Sequence, residues 1–178
     1  MSGPDTTPLP GESVAPSNTL RAALDERRAN GERFSLRETV SLIVPLCIDL
    51  AERHARGERF YLYPSAISFS PGQPTCVQTE MAAALPVRTR DKACVAPEER
   101  SGKGGDSRST VFSIGAIVYE MLTGEAVGPG MRRPTQIVRH LPDSIDGILS
   151  RALIGDPQHR PADIGALAQA LHHFAPTA

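Results

Sequence analysis

The run Lys103-Gly104-Gly105-Asp106-Ser107-Arg108-Ser109-Thr110 comes nearest, by residue type and spacing, to a chemical device. Adjacent glycines let backbone amides approach an anion, and a lysine followed by a hydroxyl would complete a cradle for phosphate. Two positions fail, since Ser107 stands where such a loop has glycine and Arg108 where it has lysine. The preceding stretch, Val95 to Gly102, is polar and broken by Pro97, where a hydrophobic strand should lead in. The run therefore reads as a loop ahead of a buried helix. Cys47, Cys76 and Cys94 lack the Cys-x-x-Cys spacing of a metal or redox pair and read as reduced cytosolic thiols. His172 and His173 are adjacent, so on a helix they point to different sides and make no metal pair. No Ser, His and Asp set and no acid pair stands out. These residues give no catalytic residue, no metal ligand and no cofactor site.

Composition narrows the classes further. A formal net charge of −1 argues against a nucleic-acid footprint and against a general attraction to anionic membranes. Only Lys92 and Lys103 among the 19 basic residues are lysines, which suits a GC-rich bacterial gene. No apolar run approaches the ~18 residues of a membrane span, and no basic-then-apolar leader opens the chain. The expected location is the bacterial cytoplasm, with no membrane insertion.

The elements that must position any site follow from period and punctuation. Residues 1–19 carry Pro4, Pro8, Pro10 and Pro16 among Gly, Ser and Thr, and read as a disordered Pro-rich segment ahead of a domain over 20–175. Leu20, Ala23 and Leu24 mark a short amphipathic helix stopped by Asn30-Gly31. Ser35-Leu36-Arg37-Glu38 is a capping box, and Leu36, Val40, Ile43, Cys47, Leu50 and His54 draw one stripe that Gly57 ends, with Pro45 predicted to kink the helix. Phe60-Tyr61-Leu62-Tyr63, Ala66 to Ser70 and Thr75 to Gln78 read as short strands. Residues 80–93 and Ser101 to Ser107 read as loops, and Gly128 to Arg133 as a turn with a small basic cluster. Val111 to Leu122 is apolar nearly all round and predicts a buried helix, with two more over Pro142 to Ile154 and Pro161 to Phe174.

Three segments carry a resemblance. Val95-Ala96-Pro97-Glu98-Glu99, then Ser113-Ile114-Gly115 through Tyr119-Glu120-Met121-Leu122-Thr123-Gly124, then Asp156-Pro157-Gln158-His159-Arg160-Pro161 resemble, in order and spacing, the C-terminal lobe of a Hanks-type (eukaryotic-like) Ser/Thr protein kinase. Leu50 to Gly57 is similar to the helix end that precedes the catalytic loop in that family. The resemblance implies a mainly α fold of five or six helices with a small β-hairpin region. It also implies that Glu98 and Arg160 form a largely buried structural pair.

The same resemblance shows departures. With Pro64 and Ser65 in register, Tyr61 falls where the family has its catalytic Asp, Tyr63 where it has Lys, and Ala66 where it has the metal-binding Asn. Thr79-Glu80-Met81 stands where the metal-binding Asp-Phe-Gly is expected, and Thr110 where the core helix opens on an acid. The glycine-rich loop and strand lysine of an N-terminal lobe are missing ahead of Leu20, as in the kinase non-catalytic C-lobe domains, which bind protein partners. The expectation is therefore a chain that is not an enzyme: a pseudokinase-like interaction or scaffold module. The alternative is a regulatory or decoy subunit that binds and controls an active Ser/Thr kinase, and a residual ATP-dependent transferase stands third. If 60–63 is a strand, Tyr61 and Tyr63 share one face of it. On an uncovered cleft floor they would bind a protein partner, a second copy or the chain's own Pro-rich segment.

Overall fold

The structure is a computed structural model that describes residues 18–175. The Pro-rich N-terminal segment lies, up to Ser17, outside the described residues. Helix α1 (Leu20–Ala29) opens on Thr19, whose side chain accepts from the Ala22 amide, and turns Leu20, Arg21 and Leu24 inward. Helix α2 (Leu36–Ala55) begins with the capping box in place: the Ser35 hydroxyl accepts from the Glu38 amide, and the Glu38 carboxylate accepts from the Ser35 amide. The helix runs on through Pro45 and buries Val40, Ile43, Leu46, Cys47 and Leu50. Burial pushes the Cys47 thiol up to about 12, so it behaves as a small hydrophobe.

The β content is smaller than the alternating pattern predicts. Strand β1 (Ile67–Ser68) pairs antiparallel with β2 (Cys76–Val77), with Ile67 opposite Val77, and Thr19 makes an isolated bridge to Ser68. Phe60 to Tyr63 is not a strand: it lies along α3 (Thr79–Ala82), where the Tyr61 amide donates to the Ala82 carbonyl. A strand needs a partner ladder, and a four-residue helix cannot supply one. The expected loop over 80–93 is partly helical, since α3 is followed by α4 (Thr89–Cys94), and α5 (Pro97–Arg100) comes next.

At the centre stands α6 (Ser107–Thr123), capped by Asp106 and ended by Gly124 at φ +75°. Every residue from Ser109 to Thr123 is buried, as its all-round apolar sequence predicts. A short α7 (Pro134–Ile137) leads to α8 (Asp143–Ala152), which packs on α6. At Gly115 the two helices touch so closely that an added Cβ would sit 2.8 Å from the Ala152 Cβ. Helix α9 (Ile164–His172) closes the domain against α2 and α6. The core is one cluster to which α1, α2, α6, α8 and α9 contribute, and the α3–α5 stretch is tied into it through Ala82, Cys94, Val95 and Ala96.

Candidate functional site

Helix α5 is fixed by one arginine. Arg160 gives two bonds to Glu98, at 2.6 and 3.0 Å, and further bonds to the carbonyls of Ile154, Arg108 and Gly155. A guanidinium has five N–H groups, and here each has an acceptor. Its plane also lies 4.9 Å from the centre of the Phe112 ring. Burial pushes the Glu98 carboxyl up, but the hydrogen bonds from Arg160 and Ser109 outweigh it and hold Glu98 below the usual carboxylate range. The two residues assigned a structural role by resemblance therefore meet, and they tie α5 to the start of α6.

The end of α2 meets the start of α6. The His54 ring bonds the Thr110 hydroxyl at 2.8 Å and packs on Phe60 with ring centres 4.7 Å apart. Thus a histidine–hydroxyl contact joins α2 to α6 where the resemblance implies an acid. Burial holds the His54 imidazole below its ordinary value despite the nearby Asp106. Ala66 is fully buried under β1.

Tyr61 and Tyr63 separate. Tyr61 is half-buried and lines a small cavity with His54, Phe60 and Glu99. Tyr63 is buried, and its hydroxyl donates to the carbonyls of Met81 and Ala84. The expectation that both tyrosines share one exposed face is corrected, because without strand geometry the period-two rule does not apply to them. What Tyr63 does is pin the 81–84 backbone. Beyond that anchor, Met81, Leu85 and Val87 project into solvent, Val87 at 83% exposure. They border a groove of about 280 Å³ lined also by Tyr63, Ser65, Glu80, Arg88 and Asp91.

A second buried charge cluster underlies this groove. Arg21 is 1% exposed and donates to Asp91 at 2.9 Å and to both oxygens of Glu120 at 2.6 and 3.1 Å. Ser65 donates to the other oxygen of Asp91, and Arg90 reaches Glu120 at 3.0 Å. Desolvation works against the Arg21 charge, yet the bonds and charges of Glu120 and Asp91 prevail and hold it well above its ordinary value. This cluster joins α1, α4, α6 and the Pro64–Ala66 turn. Sequence reading missed it, although the signal is there: Arg21 lies among the inward Leu20 and Leu24, and Glu120 is the one acid of the buried helix α6. Among the described residues, no three His, Cys, Asp or Glu side chains gather as a metal site requires.

No family model matches the chain. Curated relatives do, among them Serine/threonine-protein kinase A of Synechocystis sp., 29% identical over 94 residues, and Serine/threonine-protein kinase Pkn1 of Myxococcus xanthus, 31% identical over 91 residues. These matches cover 44% and 43% of this chain but only 18% and 13% of those proteins. Among solved structures, the kinase domain of Mycobacterium tuberculosis PknI matches with a TM-score of 0.68 at 20% identity, covering 86% of this chain and 62% of that one. The expectation of a chain that is not an enzyme is therefore corrected, because the proteins it is similar to are kinases by name. Among the described residues, no helix is long and apolar enough to cross a membrane. The chain has the helical fold of a protein-kinase C-terminal lobe, and its local sequence is similar to Ser/Thr-protein kinases of bacteria.

Proposed function

We propose that this kinase-like domain, residues 20–175, is a protein-interaction module of the bacterial cytosol, and that it holds its partner at the groove beside α3. The observation that carries the reading is the apolar edge formed by Met81, Leu85 and Val87 next to a groove whose backbone is pinned by Tyr63. Exposed apolar side chains close in sequence on a pinned segment are what an interface core needs, and pre-fixing that segment lowers the ordering cost of binding. Tyr61 stands at the neighbouring cavity and extends the surface with an aromatic ring. Free Cys47, Cys76 and Cys94 agree with a reducing compartment.

The test compares the native chain with Leu85→Asp/Val87→Asp as bait in lysate, with the recovered proteins quantified by mass spectrometry. The reading expects one protein, enriched by the native bait, to fall about tenfold with the double variant, since two buried apolar contacts of an interface are lost. Equal recovery by both baits sinks it. Whether that protein is a Ser/Thr kinase separates a regulatory subunit from a scaffold.

A further inference from the structure

A small cavity lies between the end of α2, the Phe60–Tyr61 segment, α5 and the loop before α6. It measures about 190 Å³ and is lined by His54, Arg59, Phe60, Tyr61, Glu99 and the Gly104–Asp106 loop. Among these, Glu99 is a buried residue, 6% exposed. The loop passes so close over it that a Cβ at Gly105 would lie 2.7 Å from the Glu99 carboxyl carbon, so glycine there leaves the acid its room. Unlike its neighbour Glu98, which Arg160 grips with two bonds, Glu99 has no arginine bonded to it among the described residues. Burial and the adjacent Glu98 push its carboxyl up to about 7; the Ala96 amide and the charge of Arg160 ease it only in part, and Asp106 adds repulsion.

We propose that this cavity receives the guanidinium of an arginine side chain presented by a protein partner. Its volume falls short of the roughly 300–1,000 Å³ typical of pockets for whole small molecules and suits a single side chain. Two acids line it, Glu99 and Asp106, the latter also accepting from the Arg108 amide, against the single cation Arg59, and His54 is held towards its neutral form. The Phe60 and Tyr61 rings wall the space. A planar guanidinium pairs with a carboxylate through two bonds and lies flat on an aromatic face, which a lysine ammonium does not do. An arriving cation would also return Glu99 to an ordinary carboxylate, so binding near neutral pH releases a proton. The source of the arginine rests on the protein-binding reading above; the cavity itself is tested without any partner.

The probe is butylguanidinium chloride, titrated into the full chain while the Glu99 carboxyl is followed by carbon-detected NMR through its titration. At saturation the Glu99 midpoint should fall by about one unit or more, the effect of an opposite charge within a few ångströms. The Gly104 and Gly105 amide signals should move with it. Glu99→Gln should bind the probe about tenfold more weakly, as expected when a charged partner is lost. If Glu99→Gln does not fold, Tyr61→Ala takes its place; it removes one wall and should weaken the probe several-fold. A Glu99 midpoint that the probe does not move, or undiminished affinity in the folded variant, overturns the cavity. Probe binding at Glu99 alongside unchanged partner recovery by Leu85→Asp/Val87→Asp would overturn the groove and leave the cavity standing.

Discussion

Arg160 and Glu98 meet at the N-terminal end of α6, whereas Arg21, Asp91 and Glu120 meet at its C-terminal end. The two clusters solve the burial of an arginine differently. Arg160 faces one carboxylate and fills its remaining donors with three backbone carbonyls. It fixes loop backbone as much as it neutralises charge. Arg21 faces two carboxylates at 1% and 2% side-chain exposure and needs Arg90 and Ser65 to complete the balance. It is a charge-balancing centre among four segments. The comparison teaches that the partner left behind, rather than the number of bonds broken, decides what a substitution costs.

The largest effect should come from Arg21→Met. It leaves Asp91 and Glu120 in the interior with only a half-exposed arginine beside one of them, and should cost about 5 kcal/mol, the upper end for a broken buried pair. Urea unfolding followed by circular dichroism measures it; a loss no larger than that of Arg160→Ala would reverse the ranking. Arg160→Ala should cost about 4 kcal/mol, because Glu98 keeps some solvent and its bond from Ser109. Glu98→Ala should cost less, since Arg160 retains its carbonyls. A double-mutant cycle on the two should give a coupling of about 2 kcal/mol, and additivity would show that the carbonyls alone hold Arg160.

Glu99 sharpens the comparison as a carboxylate without an arginine. Its value is raised in the folded state, to about 7. Its contribution to stability is therefore fully present below the unfolded value near 4.5 and is lost as pH rises through 7. Glu98 runs the other way: its value is lowered, so its contribution is present above the unfolded value and is lost as the solution turns acid. Glu99→Gln should stabilise the domain by about 3 kcal/mol at alkaline pH and leave it unchanged in acid. Denaturant midpoints measured across pH check this, and a gain that does not depend on pH would count against a buried, ionising Glu99.

What could be read from the residues depended on whether a feature was local. The Ser35 and Glu38 box, the stripe of α2 and the apolar surround of α6 are all written within one helix, and each is present in the fold. Glu98 with Arg160 was reachable only through resemblance, because 62 residues separate them. The short helices α3 to α5 were missed, since runs of four to six residues are too brief for a period to show. Phe60 to Tyr63 was read as a strand from its aromatic content, and the error carried Tyr63 to the wrong side. Arg21 was passed over because one charge beside leucines looks like the edge of an amphipathic helix until its distant acids are placed.

That distance also sets a clock for the nascent chain. The acid that Arg21 needs lies 99 positions further on. At translation rates of about 5–20 residues per second, the arginine of the first helix waits on the order of 5–20 seconds before Glu120 has been made. Over that interval α1 can already meet the Pro64–Ala66 turn and β1, so the last turn of α6 completes the charge balance of the first helix rather than starting its docking.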